Sequence, residues 1–460
     1  MNLLTADIGS TYTKLTAIDS IRKKIIATSS AFTTIETDVM EGFSSAYGQL
    51  KKIAANFEYD QLLCCSSAGG GLKMVALGLV PELTSKAAKL AAASAGAKVV
   101  KTYAFEISQS EQNEIFEIDP DLVLLCGGTD GGNKEVILSN ARRLTQIQRS
   151  FTIIAAGNKS ASFELEKIFS ESGKAFVITE NVMPEFNKLN IEPARQKIRE
   201  LFISRIIEAK GLSRIQELCK TAIIPTPLAV LDGCELLSKG TKSISGIGDL
   251  MAIDLGGATT DIYSIAKGKP TRTNVTVRGL PEPASKRTVE GDLGMRYSLS
   301  PLVNGLELND LSDELGVERA ILADWIDACI QNPALLPPPG SIEQKVEEFL
   351  ARNAVRIATE RHCGSYQSVY TPFGQMFTLT GKDLSAVPFV IGIGGAIINS
   401  HRPHYILEGV KPLVNDFEYA KPENPHFLID KKYIFASMGL ISSVDADLAI
   451  TLLKQEIINS

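Results

Sequence analysis

One short phrase of sequence occurs twice in this chain, and it constrains the fold more than any other feature. Residues 6–18 read ADIGSTYTKLTAI, and residues 252–264 read AIDLGGATTDIYS. Each carries an Asp at the end of a strand-like run, then one aliphatic residue, then Gly and a run of Gly, Ser, Ala and Thr. Each then returns to strand-forming residues. That is the pattern of a β-hairpin with a tight turn. A chain that writes one hairpin twice, about 250 residues apart, is predicted to contain two related lobes.

The residue types point to anion chemistry. A strand delivers Asp7 or Asp254 to the end of a sheet. Gly9, Gly256 and Gly257 let backbone approach a ligand closely, because no Cβ stands in the way. Successive N–H groups of such a turn form a concave nest for phosphate. Ser10, Thr11, Thr13, Thr259 and Thr260 add hydroxyls beside the small Ala258. Lys14 ends the first copy and supplies a point charge for the β- and γ-phosphates. Asp261 takes that place in the second copy, so the copies are not equivalent. A carboxylate repels phosphate, but it holds Mg²⁺ or its waters, which then bridge to the phosphates. One such turn is more often a plain hairpin; two, separated by the length of a domain, predict one nucleotide held by both. The spacings G-x-G-x-x-G and G-x-x-x-x-G-K-[ST], which mark other nucleotide folds, are not found in the required context.

This pattern resembles the actin, Hsp70 and sugar-kinase superfamily, with DIGSTYTK as its first phosphate motif and DLGGATTD as its second. GIGGAIINS (392–400) is similar to the adenosine motif that follows, with Gly392, Gly394 and Gly395 against adenine and ribose. ASMGLIS (436–442) resembles the second connecting motif. Three further turns, SSAGGGLKM (66–74), LLCGGTDGGNKE (124–135) and RTVEGDLGMRYS (287–298), narrow the likeness to the MutL (GlmL) family encoded beside glutamate mutase. The resemblance implies an α/β fold of two actin-like (ribonuclease H-like) lobes with an interlobe nucleotide cleft. It implies ATP and Mg²⁺ as ligands, with Asp7 and Asp254 as catalytic and metal-holding carboxylates. It also implies an ATP-hydrolysing accessory role, reactivating an adenosylcobalamin-dependent aminomutase by releasing inactive cobalamin. A small-molecule kinase or an ATP-driven activase is the alternative, and an actin-like filament is a third reading.

The carboxylate that orients the attacking water stays open at this level. Asp130, at the tip of CGGTDGGN, is a candidate and reads equally as a turn cap. Glu290 and Asp292 in TVEGDLGMRYS are candidates and read equally as a solvated loop. Asp7 is also a candidate, as the resemblance to the superfamily's kinases and actin-like members implies. Two histidines in HRPH (401–404) have a metal-like spacing that Pro403 disrupts, so they read as a surface loop; His362–Cys363 and Cys64–Cys65 read as structural.

Strand-like and helix-like runs alternate through residues 62–182, which predicts partly parallel sheets. The first lobe is expected over 1–245, with an added α/β segment at about 150–245, and the second over 246–460. An insertion over about 301–350, with PPPG as a linker, is the expected partner surface. PFVIGIGGAIINS (388–400) and KYIFASMGLIS (432–442) are read as late strands and turns, before a final helix at about 445–458. A net charge of −6 argues against a general nucleic-acid surface. Seven scattered cysteines without C-x-x-C suit a reducing cytoplasm. No apolar run reaches the roughly 18 residues of a membrane span, and MNLLTADIGS reads as a strand rather than a signal peptide.

Overall fold

Strands β1 (Asn2–Ile8), β2 (Tyr12–Asp19), β3 (Lys24–Phe32), β4 (Gln61–Ser66) and β10 (Ile224–Pro225) form one sheet in the order β10-β4-β1-β2-β3. The first three are antiparallel in sequence, whereas β4 and β10 run parallel to β1. Strands β11 (Leu250–Leu255), β12 (Thr260–Ile265), β14 (Ser285–Glu290), β17 (Phe389–Ile393) and β18 (His426–Ile429) repeat this in the order β14-β12-β11-β17-β18. Again the first three alternate and the last two run parallel to the first. The repeated sequence is therefore a repeated sheet, matched strand for strand, and the expected duplicated α/β fold is present. This computed structural model describes residues 1–9, 11–34, 37–67, 73–95, 97–206, 212–306, 312–313, 315–372, 374–414, 416 and 418–458. Ser10 of the first turn and residues 68–72 of SSAGGGLKM lie outside the described residues.

The chain divides into two compact units. One comprises Met1–Leu236, Gly279–Pro281 and Ile434–Leu452, the other Leu237–Arg278, Glu282–Tyr433 and Leu453–Ser460. In the first unit β1 and β4 are buried on both faces, as a covered parallel segment requires, whereas the edge strand β3 is partly exposed. Helix Val39–Ile53 starts where the Asp38 side chain accepts the Met40 N–H. It then packs Val39, Phe43, Ala46 and Leu50 into the cluster that holds Leu4, Ala6, Ile8 and Leu15. Full burial of each large side chain contributes about 1.5–3 kcal/mol.

The same unit holds a second sheet, β5 (Lys73–Gly78), β6 (Lys98–Ala104), β7 (Leu122–Leu125), β8 (Thr152–Ala155) and β9 (Phe176–Ile178). Its order is β6-β5-β7-β8-β9 and every pair is parallel. Parallel neighbours need crossovers, and helices Lys86–Ser94, Gln109–Ile118, Glu135–Gln146 and Ser162–Ser172 supply them. This sheet begins at Lys73. Residues 150–245 contribute β8, β9, and helices Glu192–Ile206, Leu212–Leu218 and Thr226–Lys239.

Residues 432–442 correct the strand reading: Phe435–Ser442 is a helix. An apolar run without a polar face does not separate a buried strand from a buried helix. Phe435, Ala436, Met438, Leu440 and Ile441 are all buried. The helix lies on the first sheet, where Thr5 Oγ1 donates to Ser437 Oγ at 2.9 Å and Ser437 Oγ donates to Thr16 Oγ1 at 3.2 Å. Likewise, after β17 the motif at 388–400 continues as a short helix, Gly395–Ile398.

In the second unit, helix Ile342–His362 packs Phe349, Leu350, Ala354 and Val355 into the cluster that holds Met251, Ile253 and Ile262. A small sheet of β13 (Val275–Arg278), β16 (Gly374–Thr380) and β15 (Ser365–Thr371) stands in that order. Among its described residues, the 301–350 region includes helix Leu299–Asn304, helix Arg319–Gln331 and the start of Ile342–His362, with the prolines between the last two. No described helix is long and apolar enough to cross a membrane.

His362 ends its helix fully buried, its Nδ1 2.8 Å from Thr288 Oγ1 and its Nε2 2.8 Å from Ser264 Oγ. Burial, then the Lys286 and Lys382 charges, hold its pKa well below 6.5. The unfolded chain takes up this proton near pH 6.5 and the folded chain does not. Stability contributed here is thus present above pH 6.5 and falls with acidity by up to about 1.4 kcal/mol per pH unit. His362→Gln, which keeps hydrogen-bonding groups but does not titrate, should flatten the fall of the urea midpoint between pH 7.5 and 5. Equal slopes in both proteins would refute this assignment.

Candidate functional site

The two hairpins close in the same way. The Gly9 N–H donates to the Tyr12 carbonyl at 3.0 Å, and the Gly256 N–H to the Thr259 carbonyl at 2.9 Å. Ile8 pairs with Thr13 and Leu255 with Thr260, so Asp7 faces Lys14 and Asp254 faces Asp261 across each strand pair. A Cβ on Gly9 would lie 2.7 Å from the Tyr12 carbonyl oxygen, which explains the glycine.

Strand alternation separates the predicted ligand donors into two sets. Thr13 and Thr260 are fully buried. Thr13 Oγ1 pairs with Thr33 Oγ1 at 3.0 Å, and Thr260 Oγ1 donates to the Leu293 carbonyl. These two hydroxyls brace the hairpins from inside, not from the ligand side expected of them. Thr11 is partly buried and its carbonyl accepts the Thr33 N–H at 2.9 Å. Thr259 Oγ1 donates to Asp261 Oδ2 at 3.1 Å.

Asp7 is 9% exposed. Its Oδ1 accepts Thr226 Oγ1 at 2.6 Å and stands 3.5 Å from Cys65 Sγ. Thr226 opens the helix Thr226–Lys239, so that helix orients the carboxylate. In the second hairpin the carboxylate opposite Asp254 is neutralised. Arg287, buried on β14, donates from Nε at 2.8 Å and Nη2 at 2.6 Å to Asp261 Oδ1. The cation that Lys14 brings to the first hairpin face thus has a counterpart contributed by a third strand.

A segment from the RTVEGDLGMRYS turn holds the second turn from behind. The Met295 N–H donates to Gly256 O at 3.1 Å, and the Arg296 and Tyr297 N–H groups both donate to Gly257 O at 2.8 Å. Ser298 Oγ lies 2.7 Å from Ala258 O. In a trans peptide the C=O and the next N–H point in opposite directions. Turning three carbonyls towards this segment therefore aims the N–H groups of Gly257, Ala258 and Thr259 the other way, as in an anion nest.

Gly394 joins this site. Its φ is +91°, and a Cβ would lie 2.4 Å from the Leu255 carbonyl oxygen and 2.7 Å from Asp254 Oδ1. The adenosine-like motif and the second phosphate-like motif are thus in contact within one unit, because β17 pairs with β11. Gly392 makes room for Ile397, whose Cγ2 would be 2.7 Å from a Cβ there. Gly395 has no such neighbour closer than Tyr433 Oη at 3.5 Å.

The other candidate carboxylates are committed elsewhere. Asp130 follows β7 in the parallel sheet, not the sheet of Asp7. Its Oδ1 accepts the Lys159 N–H and Asn181 Nδ2, each at 3.0 Å, which is a loop-holding role. Arg361 binds Glu290 at 2.9 Å and Asp292 through both oxygens at 2.7 and 2.9 Å. The Arg361 hydrogen bonds hold the Asp292 carboxyl below its usual range, which makes it a poor base. His401 and His404 are exposed beside Pro403, which opens a short helix. No group of three His, Cys, Asp or Glu suited to a metal occurs among the described residues. Magnesium bound with phosphates needs only one or two carboxylates, so the donor types Asp7 and Asp254 fit it.

Sequence reasoning missed Thr226, Arg287 and the bracing role of Gly294–Ser298. Only the last had a signal, the unusual GMRYS turn.

The model of the MutL protein family matches residues 3–457 of this chain. Protein MutL of Clostridium tetanomorphum is 44% identical over 462 residues, covering 99% of each chain. Among solved structures, a glycerol dehydratase reactivase aligns at 10% identity over 97% of this chain and 100% of that one, with a TM-score of 0.34. The activator of the 2-hydroxyisocaproyl-CoA dehydratase from Clostridium difficile with bound ADPNP aligns at 8% identity over 99% and 98%, with a TM-score of 0.28. On the sequence matches, which span nearly its whole length, this chain belongs to the MutL protein family.

Proposed function

We propose that this protein binds and hydrolyses Mg–ATP and uses the cycle to reactivate an adenosylcobalamin-dependent aminomutase of the glutamate mutase kind. The observation that carries the nucleotide reading is the pair of D-x-G hairpins, closed by the same Gly-to-carbonyl bond in strand-for-strand equivalent sheets. In this reading the N–H groups of Gly257, Ala258 and Thr259 donate to phosphate oxygens, as do those around Gly9, Ser10 and Thr11. Lys14 adds a point charge. Arg287 keeps Asp261 from repelling the phosphates. Gly392, Gly394 and Gly395 admit the adenosine. Asp7 and Asp254 are each a carboxylate that would hold a magnesium ion, directly or through water, and the ion would neutralise phosphate charge when bound. Asp7 orients the attacking water, because Thr226 anchors one carboxylate oxygen and leaves the other for this task. Asp130 is left out of this reading.

The client assignment rests on the resemblance to the family encoded beside glutamate mutase. Nucleotide-dependent ordering of the phosphate turns would alternate the protein between states that grip and release the mutase. None of the seven cysteines is in a disulfide, which suits work in the cytoplasm. The test is ATP hydrolysis and mutase recovery with an aminomutase that carries cyanocobalamin. On adding fresh adenosylcobalamin, activity should return only with ATP and this protein. Hydrolysis without recovery would remove the client; a metabolite that alone accelerates ADP formation would favour a kinase.

A further inference from the structure

Within the second unit, the turn Gly256–Thr259 is joined to the helical insertion by a segment with no slack. A Cβ on Gly294 would lie 2.5 Å from the Ala258 carbonyl carbon and 2.6 Å from Gly257 O, so the two backbones are in contact. Ser298 stands at the N-cap position of helix Leu299–Asn304, where serine usually caps its own helix. It makes no such bond. Its hydroxyl instead lies 2.7 Å from Ala258 O and 2.8 Å from Gly291 O. Arg296, whose N–H holds Gly257 O, reaches in the other direction with its side chain. Its Nη2 is 2.9 Å from Glu347 Oε1 in helix Ile342–His362, with the two side chains 15% and 17% exposed. Cys329 Sγ, on helix Arg319–Gln331, lies 3.8 Å from the same Glu347 oxygen. Leu299, Leu302 and Val303 share one apolar cluster with Leu322, Ile326 and Phe349.

Each link is a backbone contact, the Ser298 hydroxyl bond to the turn, a half-buried ion pair or a packed helix. A rigid chain of this kind transmits a displacement and does not absorb it. We propose that Ser298 and the Arg296–Glu347 pair are positioning residues that convey occupancy of the Gly256–Thr259 turn to the helices of residues 299–362. The proposal rests on the Mg–ATP reading and assigns the regulation of that site. The insertion then senses the nucleotide through the carbonyl side of the turn, while phosphate meets its N–H side.

The test is hydrogen–deuterium exchange of the full chain with and without Mg–ATP, in the wild type, Ser298→Ala and Ser298→Thr. In the wild type, nucleotide should slow exchange in 299–304 and 319–331 by about fivefold, the equivalent of roughly one hydrogen bond. S298A should bind nucleotide about fivefold more weakly, and at saturation its helices should no longer respond. S298T, which restores the hydroxyl, should recover both. A wild type that binds ATP without any change in these helices would overturn the proposal, as would S298A responding like the wild type. A wild type that binds no ATP refutes the nucleotide reading itself, and the relay with it. Should S298A fail to fold, the wild-type exchange decides alone.

Discussion

Asp254→Asn should reduce ATP hydrolysis by roughly a hundredfold to a thousandfold, the range seen when one preorganised electrostatic group is removed from a site. Asp7→Asn should do the same, and for both the fold should survive. Asn keeps a carbonyl oxygen that still accepts the Thr226 hydroxyl, which bonds Asp7 at 2.6 Å. The two variants should differ in stability, and the sign follows from the register. Asp7 lies opposite Lys14, so its neutralisation removes an attraction. Asp254 lies opposite Asp261, so its neutralisation relieves a like-charge neighbour that Arg287 already compensates in part. Cross-strand pairs are worth about 0.2–1 kcal/mol. D7N should therefore melt slightly lower than the wild type, and D254N at or above it. Phosphate release and calorimetric melting on the same preparations check both statements. Near-normal turnover in the two variants would end the assignment of these carboxylates.

Gly439→Ala should destabilise the first unit by about 3 kcal/mol, at the upper end of overpacking costs. Helix Phe435–Ser442 crosses helix Thr226–Lys239 with the backbones touching. A Cβ on Gly439 would lie 1.8 Å from the Ala229 carbonyl oxygen. Reciprocally, a Cβ on Gly233 would lie 2.7 Å from the Phe435 carbonyl oxygen. Backbone cannot rotate aside as a side chain does, so the helices must separate. Separation pulls on Ser437, which bonds Thr5 and Thr16 on the first sheet. It also pulls on Thr226, which orients Asp7. G439A should thus lower both the urea midpoint and nucleotide affinity, and G233A should do so less. A loss below about 1 kcal/mol in G439A would show that the crossing can relax.

Local chemistry was legible in the sequence. A hairpin turn is decided by its own few residues, so D-I-G and D-L-G announced two like turns, and with them two like sheets. Gly394 was legible for the same reason, since a position at φ +91° admits glycine and little else. Partners distant in sequence were not legible. Asp261 finds Arg287 only because β14 pairs with β12, and Thr13 finds Thr33 only because β3 pairs with β2. Residues 432–442 read as a strand because an unbroken apolar run has no period to betray its conformation; packing against β1 and a second helix made it helical. Asp130 looked aimed at a ligand until Lys159 and Asn181 were placed around it. The sequence by itself determined the duplicated α/β plan, the two like hairpin turns and the family. Which oxygen, hydroxyl or cation faces outward was decided only in the tertiary structure, because burial and pairing depend on residues tens to hundreds of positions away.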